Sequence, residues 1–223
     1  MRPSPLGLLV AAALCAVPGA ARAARPLDPD RWRSIDVTGW ADARIVQGTE
    51  RPKHIWTRRH RDDVLEFERC FVRVTRRSHQ VGETLSVFRK AVGAEAVMRG
   101  AAAPDFTIGQ EPGWFFGVSG DHLFVDGGSS PWPRGLLAYE LPKGKLVLTA
   151  LYQGDPELPV LKEGRWLSYF EDLEDDPSPE PDCPEAPRWR EQGRPMGFEE
   201  EVVFDLKTQR VTRTGRFHCS ARL

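Results

Sequence analysis

Residues 114–125 read Trp114-Phe115-Phe116-Gly117-Val118-Ser119-Gly120-Asp121-His122-Leu123-Phe124-Val125. A strongly apolar run meets a Gly-Asp turn, and a second apolar run returns. Runs this short, bounded by turn residues and rich in aromatic and β-branched side chains, predict two strands joined as an antiparallel hairpin. The pattern repeats downstream. A turn-rich loop from Asp126 to Gly135 leads into Leu136–Leu141, and Pro142-Lys143-Gly144 makes a tight connection to Lys145–Tyr152. That is a second hairpin by run length and turn chemistry.

Working outward, Phe71-Val72-Arg73-Val74-Thr75 alternates apolar and polar residues, the mark of a half-buried strand. Ala43–Val46, His54–Thr57 and Val64–Phe67 are shorter candidates, with turn chemistry at Gln47-Gly48. Residues 83–98 fit two patterns. Leu85, Phe88 and Val92 share helical spacing, while Thr84–Phe88 and Ala94–Val97 on either side of Gly93 predict a hairpin, which the β-branched content favours. The chain closes with Glu201–Leu206, a turn at Lys207-Thr208-Gln209, and Arg210–Cys219.

Tyr139–Leu146 and Phe204–Val211 echo each other: aromatic, acid, Leu, three turn residues, base, aliphatic. This layout resembles the inner hairpin of a propeller blade, although any hairpin with a polar turn reads similarly and there is no third good copy. The fold class expected is all-β or mainly β, built of sequential antiparallel hairpins as a sandwich or a partial propeller-like meander.

The first 23 residues predict a cleavable signal peptide. Arg2 gives a positive start, Leu6–Val17 is apolar and uncharged, Pro18-Gly19 breaks the helix, and Ala21-Arg22-Ala23 supplies the small-residue cleavage site. The apolar run is shorter than the about 20 residues a membrane span needs, and no later stretch qualifies. The expected location is periplasmic or secreted. Residues 24–38, with Pro26 and Pro29, are expected to be an extended lead-in, and 39–223 a single β-rich domain. Within it, 171–187 is acidic and proline-rich, which predicts a mobile surface loop.

Charge is dense but mixed, with 31 Lys and Arg against 32 Asp and Glu. That balance gives no basic footprint for nucleic acid. Three cysteines follow the leader: Cys70, Cys183 and Cys219. An oxidising compartment favours pairing two of them. A Cys183–Cys219 bond would tie the proline-rich loop to the C-terminal end, but sequence alone leaves all three pairings open.

The loop Asp126–Gly135 is the best binding candidate. Its glycines bring backbone close, Ser129 and Ser130 offer hydroxyls, Arg134 brings charge, and Trp132 stands between two prolines. An exposed indole anchors a partner or stacks on a sugar; the plainer alternative is a tryptophan folded onto the core edge. Asp121, His122 and Asp126 suggest a hydrolase site, although no Gly-x-Ser-x-Gly elbow is present. His54, His60, Asp62 and Asp63 match no metal pattern, and Arg58, Arg59 and Arg61 repel a cation. The acidic insert lacks a calcium loop. Arg73, Arg76 and Arg77 form a local basic patch, read as the wet face of a strand. No cofactor motif is present.

The run Leu123–Tyr139, with its Asp-Gly-Gly loop and Arg-Gly-Leu-Leu exit, resembles a family of exported bacterial β-rich proteins to which no activity is assigned. So does the ending from Phe204-Asp205-Leu206-Lys207 through Arg213-Thr214-Gly215 to Cys219-Ser220-Ala221-Arg222. The resemblance covers the C-terminal half. It implies an exported β-rich protein and a Cys183–Cys219 bond, and it carries no activity. The function expected is therefore a non-catalytic exported protein binding an envelope protein or glycan. The alternative is an extracytoplasmic hydrolase using Asp121, His122 and Asp126.

Overall fold

The computed structural model describes residues 32–37, 46–58, 61–109, 112–128, 133–153, 158–173 and 182–221. They form two antiparallel sheets in which chain order is nearly spatial order. The first contains β1 (Arg33–Ile35), β2 (His54–Arg58), β3 (Asp62–Glu66), β4 (Cys70–Arg76), β5 (Glu83–Arg89) and β6 (Phe106–Ile108), side by side. The second runs from β7 (Gly113–Ser119) through β8 (His122–Gly127), β9 (Arg134–Glu140), β10 (Lys145–Gln153), β12 (Trp166–Asp172) and β13 (Met196–Asp205) to β14 (Arg210–Ala221). A short β11 (Val160–Lys162) pairs with β12. The expectation of an all-β chain of successive hairpins holds. The echoing hairpins are β9–β10 and β13–β14 of one continuous sheet rather than separate propeller blades.

Strands β7 and β8 are buried on both faces. Val118, Leu123 and Val125 pack with Ile55, Leu65, Val72, Leu85 and Val87 of the first sheet. Phe116, Phe124, Leu136 and Ala138 point the other way, into a core shared with Leu148, Tyr152, Leu167 and Phe204. Burying each such side chain contributes about 1.5–3 kcal/mol. The bulge between Phe115 and Gly117 makes this possible. One extra residue resets the alternation, so Phe116 enters one core and Val118 the other. Gly48 fixes a further contact: its φ is +85°, and a Cβ there would lie 2.1 Å from the Leu161 carbonyl oxygen.

Residues 83–98 depart from the expected hairpin. β5 carries the first part, but a 3₁₀ turn follows at Lys90–Val92 and then a helix, α1 (Ala94–Arg99). Gly93, at φ +75°, separates that turn from the helix. Ala94-Glu95-Ala96 then favours helix, and Val97 and Met98 cover Val64, Phe71 and Phe88 on the outer face of the first sheet. The expected lead-in also contributes to the sheet, since β1 pairs with β2. The acidic segment is more structured than its composition suggested. Its start is the end of β12, Cys183 is buried, and a second helix, α2 (Ala186–Glu191), begins inside it. Residues 174–181 lie outside the described residues.

Cys183 and Cys219 are bonded, with Cα atoms 6.1 Å apart and a sequence separation of 36. Phe198, Ala186 and Leu173 pack around the bond. Cys70 is free and buried, and burial pushes its thiol up to about 12, so it is inert at neutral pH. Reducing the disulfide, or making Cys183→Ala/Cys219→Ala, should lower unfolding stability by about 3–4 kcal/mol, read from urea unfolding with and without reductant. No change in the midpoint would show that the bond holds nothing the core does not already hold.

A wide bulge separates the two halves of the β13–β14 pairing, between Glu200 and Val202. Glu201 gathers Arg216, Ser168 and Thr214 there. The Arg216 guanidinium leads in holding its carboxyl down to about 2 from an ordinary 4.5. A carboxylate depressed in the folded state stabilises above its unfolded value and loses that contribution as pH falls through the folded one. Stability should therefore decline between pH 4.5 and about 2, and Glu201→Gln should flatten that decline in acid unfolding followed by circular dichroism. An unchanged slope in the variant would remove Glu201 from the account.

Candidate functional site

Of the three hydrolase candidates, Asp126 stands apart from the adjacent Asp121 and His122. Asp121 sits in the β7–β8 turn, exposed, and its carboxylate accepts from the Arg69 guanidinium. His122 opens β8 opposite Ser119 on one side and Glu140 on the other. Burial holds its imidazole below the ordinary value, opposed by Asp121 and Glu140. Asp126 lies four residues along the same strand, roughly 13 Å away at the strand rise of about 3.3 Å per residue. A general base needs hydrogen-bond reach of its partner, and His122 and Asp126 are not within it.

Asp126 has a different set of partners. It is buried on the inner face of the second sheet, where Arg134 Nε donates to its two oxygens at 2.7 and 2.9 Å. The Tyr152 hydroxyl donates to it at 3.2 Å. Burial, reinforced by Asp126, pushes the Tyr152 phenol up, so it stays a neutral donor. The Arg134 guanidinium lies 5.0 Å over the Trp114 ring. Arg134 is thus a strut under the loop it helps to bound, with its charge matched by Asp126. Ser129, Ser130 and Trp132 lie outside the described residues.

The ends of that loop line a groove of about 730 Å³. Gly127, Gly128, Pro133 and Gly135 form one end, and Val125, Leu137, Tyr139, Thr149 and Leu151 form the floor. On β8, β9 and β10 alternate residues face the groove, so the floor is the face of the second sheet. The wall is different. Phe106, Thr107, Ile108 and Gly109 all line it consecutively. Side chains of consecutive strand residues point to opposite faces, so what the groove meets is the edge of β6. Among the described residues, β6 is the last strand of its sheet and pairs only with β5. The groove lies where the next strand of the first sheet would run. Gly144, at φ +67°, closes its far end, with its Cα hydrogens against Phe106: a Cβ would fall 2.5 Å from the Phe106 ring.

One polar cluster falls outside the candidates drawn from the sequence. Glu199 is fully buried and accepts from the Ser220 hydroxyl at 2.6 Å, with His218 Nδ1 at 3.2 Å. The types suggest a catalytic triad, but the order is wrong. Both Ser220 and His218 contact the carboxylate, whereas a nucleophilic serine contacts the histidine. The cluster instead clasps β13 to β14 beside the disulfide. Its signal was Glu199-Glu200-Glu201 within a strand: alternation must send neighbours of a charged triplet to both faces. Among the described residues no group of three or more His, Cys, Asp or Glu could hold a metal ion.

Removing Asp126 takes its carboxylate partner from a partly buried guanidinium. Asp126→Ala should cost about 3 kcal/mol in urea unfolding, and Asp126→Ala/Arg134→Met should recover most of it. A double variant as unstable as the sum of the single ones would mean the pair is not the support described.

The chain matches no family model, no curated protein and no solved structure, so its function is argued from these residues alone.

Proposed function

We propose that this protein is an exported, non-catalytic binding protein. It receives an extended segment of an envelope protein in the groove between the β6 edge and the face of β8–β10. The observation that carries this reading is the pairing of a free strand edge with an apolar floor. A guest strand beside β6 finds unpaired backbone on one side, and every second side chain meets Leu137, Tyr139 and Leu151. Strand addition of this kind draws affinity from main-chain hydrogen bonds and specificity from alternate side chains. Leu151 is 48% exposed, so apolar area remains to be covered. Gly127 and Gly135 leave room above the floor for a large guest side chain.

A glycan is the weaker occupant. The lining is mainly apolar, and among the described lining residues the side-chain polar atoms are few: Thr107, Thr149 and the Tyr139 hydroxyl. Trp132 directly precedes the groove-lining Pro133 in sequence and is proposed as a contact for the bound segment. Export is supported by the signal-peptide pattern and by the Cys183–Cys219 bond, which an oxidising compartment maintains. No helix among the described residues is long and apolar enough to cross a membrane. Periplasm or medium is the location that fits.

The test uses the folded chain and a displayed library of random extended peptides. Enriched sequences should alternate apolar and polar positions, and binding should fall at least about tenfold in Thr149→Arg/Leu151→Asp. Both changes are at exposed positions, so folding is retained. Trp132→Ala should weaken capture without shifting the unfolding midpoint. Enrichment no greater than with the double variant would overturn the reading.

A further inference from the structure

The geometry points to a second, separate binding site: a phosphate- or sulfate-sized oxyanion site in the recess at the β4–β5 turn. This recess, about 570 Å³, is lined by Arg61, Asp62, Thr75, Arg76 and the turn residues Arg77 to Gln80. It occupies the neighbourhood that the sequence marked both as a weak metal candidate and as a basic patch. The structure resolves the conflict in favour of an anion.

The metal reading fails at its central ligand. Asp62 is buried, and its carboxylate accepts from Arg58 at 3.2 Å, from Arg73 at 3.2 Å and from the Thr75 hydroxyl at 2.8 Å. Arg58, Thr75 and Arg73 together hold its carboxyl below the ordinary value, overcoming the burial that would raise it. Asp63 and Glu83 are likewise taken, each by Arg76, at 2.6 and 2.8 Å. Three carboxylates are thereby matched to three guanidiniums, those of Arg58, Arg73 and Arg76. Arg61 and Arg77 are left over, both exposed, with no acidic partner among the described residues. Two unmatched positive charges line one concavity, beside the Ser78 hydroxyl, the His79 imidazole and the Gln80 amide.

The recess is also held in shape. Arg76 N–H donates to the Arg61 carbonyl at 2.6 Å, Gln80 N–H to the Arg77 carbonyl at 3.1 Å, and Gln80 Nε2 to the Gly109 carbonyl at 3.1 Å. The two unmatched arginines therefore sit on backbone that is tied together, which limits the ordering cost of binding. Guanidiniums bind oxyanions through paired, charge-assisted hydrogen bonds. A phosphate or sulfate ester carries about one to two negative charges at neutral pH, within what the two spare guanidiniums neutralise. The ligand class is thus a phosphate or sulfate ester, free or as the headgroup of a lipid. This inference does not rest on the groove reading.

The test is titration of the ¹⁵N-labelled protein with inorganic phosphate and with glycerol phosphate. In parallel, sedimentation is measured with phosphatidylcholine vesicles with and without phosphatidylglycerol. The amides of Ser78, His79 and Gln80 should shift and saturate. Affinity should fall at least about tenfold in Arg61→Ala/Arg77→Ala, while Arg210→Ala, an exposed arginine on β14, leaves it unchanged. Saturable binding of the soluble esters assigns a free ester, and binding only to the phosphatidylglycerol vesicles assigns a headgroup; both support the site. No binding in either arm overturns it. So does an undiminished affinity in the double variant, or an equal loss in Arg210→Ala, which would mean diffuse charge attraction.

Discussion

The architecture depends on two strands being buried on both faces. β7 and β8 form the floor of one core and the roof of another, and the Phe116 bulge lets one apolar run serve both. A strand with one wet face alternates; a strand with two dry faces must be apolar throughout. Trp114–Val118 and His122–Val125 meet the second demand. Glu83 adds a polar joint between the sheets, accepting from the Phe115 N–H at 2.8 Å and from Arg76 at 2.8 Å. The start of β5 is therefore fixed to the start of β7, and the two sheets are set against each other at that point.

The groove follows from that arrangement together with a difference in width. The first sheet ends at β6, while the second continues past β9 to β10 and beyond. Sheets stack about 10 Å apart, so where the upper one stops, the lower face is left uncovered beside a free edge. Leu137, Tyr139 and Leu151 are apolar on that uncovered face. An exposed strand edge is normally blunted by charge, proline or a covering segment. β6, at Phe106-Thr107-Ile108, carries none of these in its own residues, although it is kept to three residues.

Most strands were legible because their signals are local. Alternation in Phe71–Thr75 and the apolar runs around Gly120-Asp121 need no tertiary knowledge. The helix at Ala94–Arg99 was not legible, because residues 83–98 satisfy both periods and the choice is made by Val64 and Phe71 needing cover. Neither was the role of Asp126. Its neighbours in sequence suggested catalysis, while its partners, Arg134 and Tyr152, come from across the sheet. The described ends of the Asp126–Gly135 loop border the groove. The groove itself has no sequence signal, because it records where one sheet ends relative to another.

The same stopping edge also accounts for the position of the basic recess. Gln80 lines the recess and donates to the carbonyl of Gly109, which lines the groove. Gly82 packs on the backbone of Pro112 and Gly113, which also border the groove: a Cβ at Gly82 would lie 2.6 Å from the Gly113 nitrogen. The β4–β5 turn is therefore a common wall, with apolar surface and open backbone on one side and unmatched arginines on the other. Charge and apolar surface are kept apart by a single tight turn, so each can be altered by substitutions that the other does not contact. Arg61 and Arg77 do not line the groove, and Thr149 and Leu151 do not line the recess. Among the described residues, the Gln80–Gly109 hydrogen bond joins a residue that lines the recess directly to one that lines the groove.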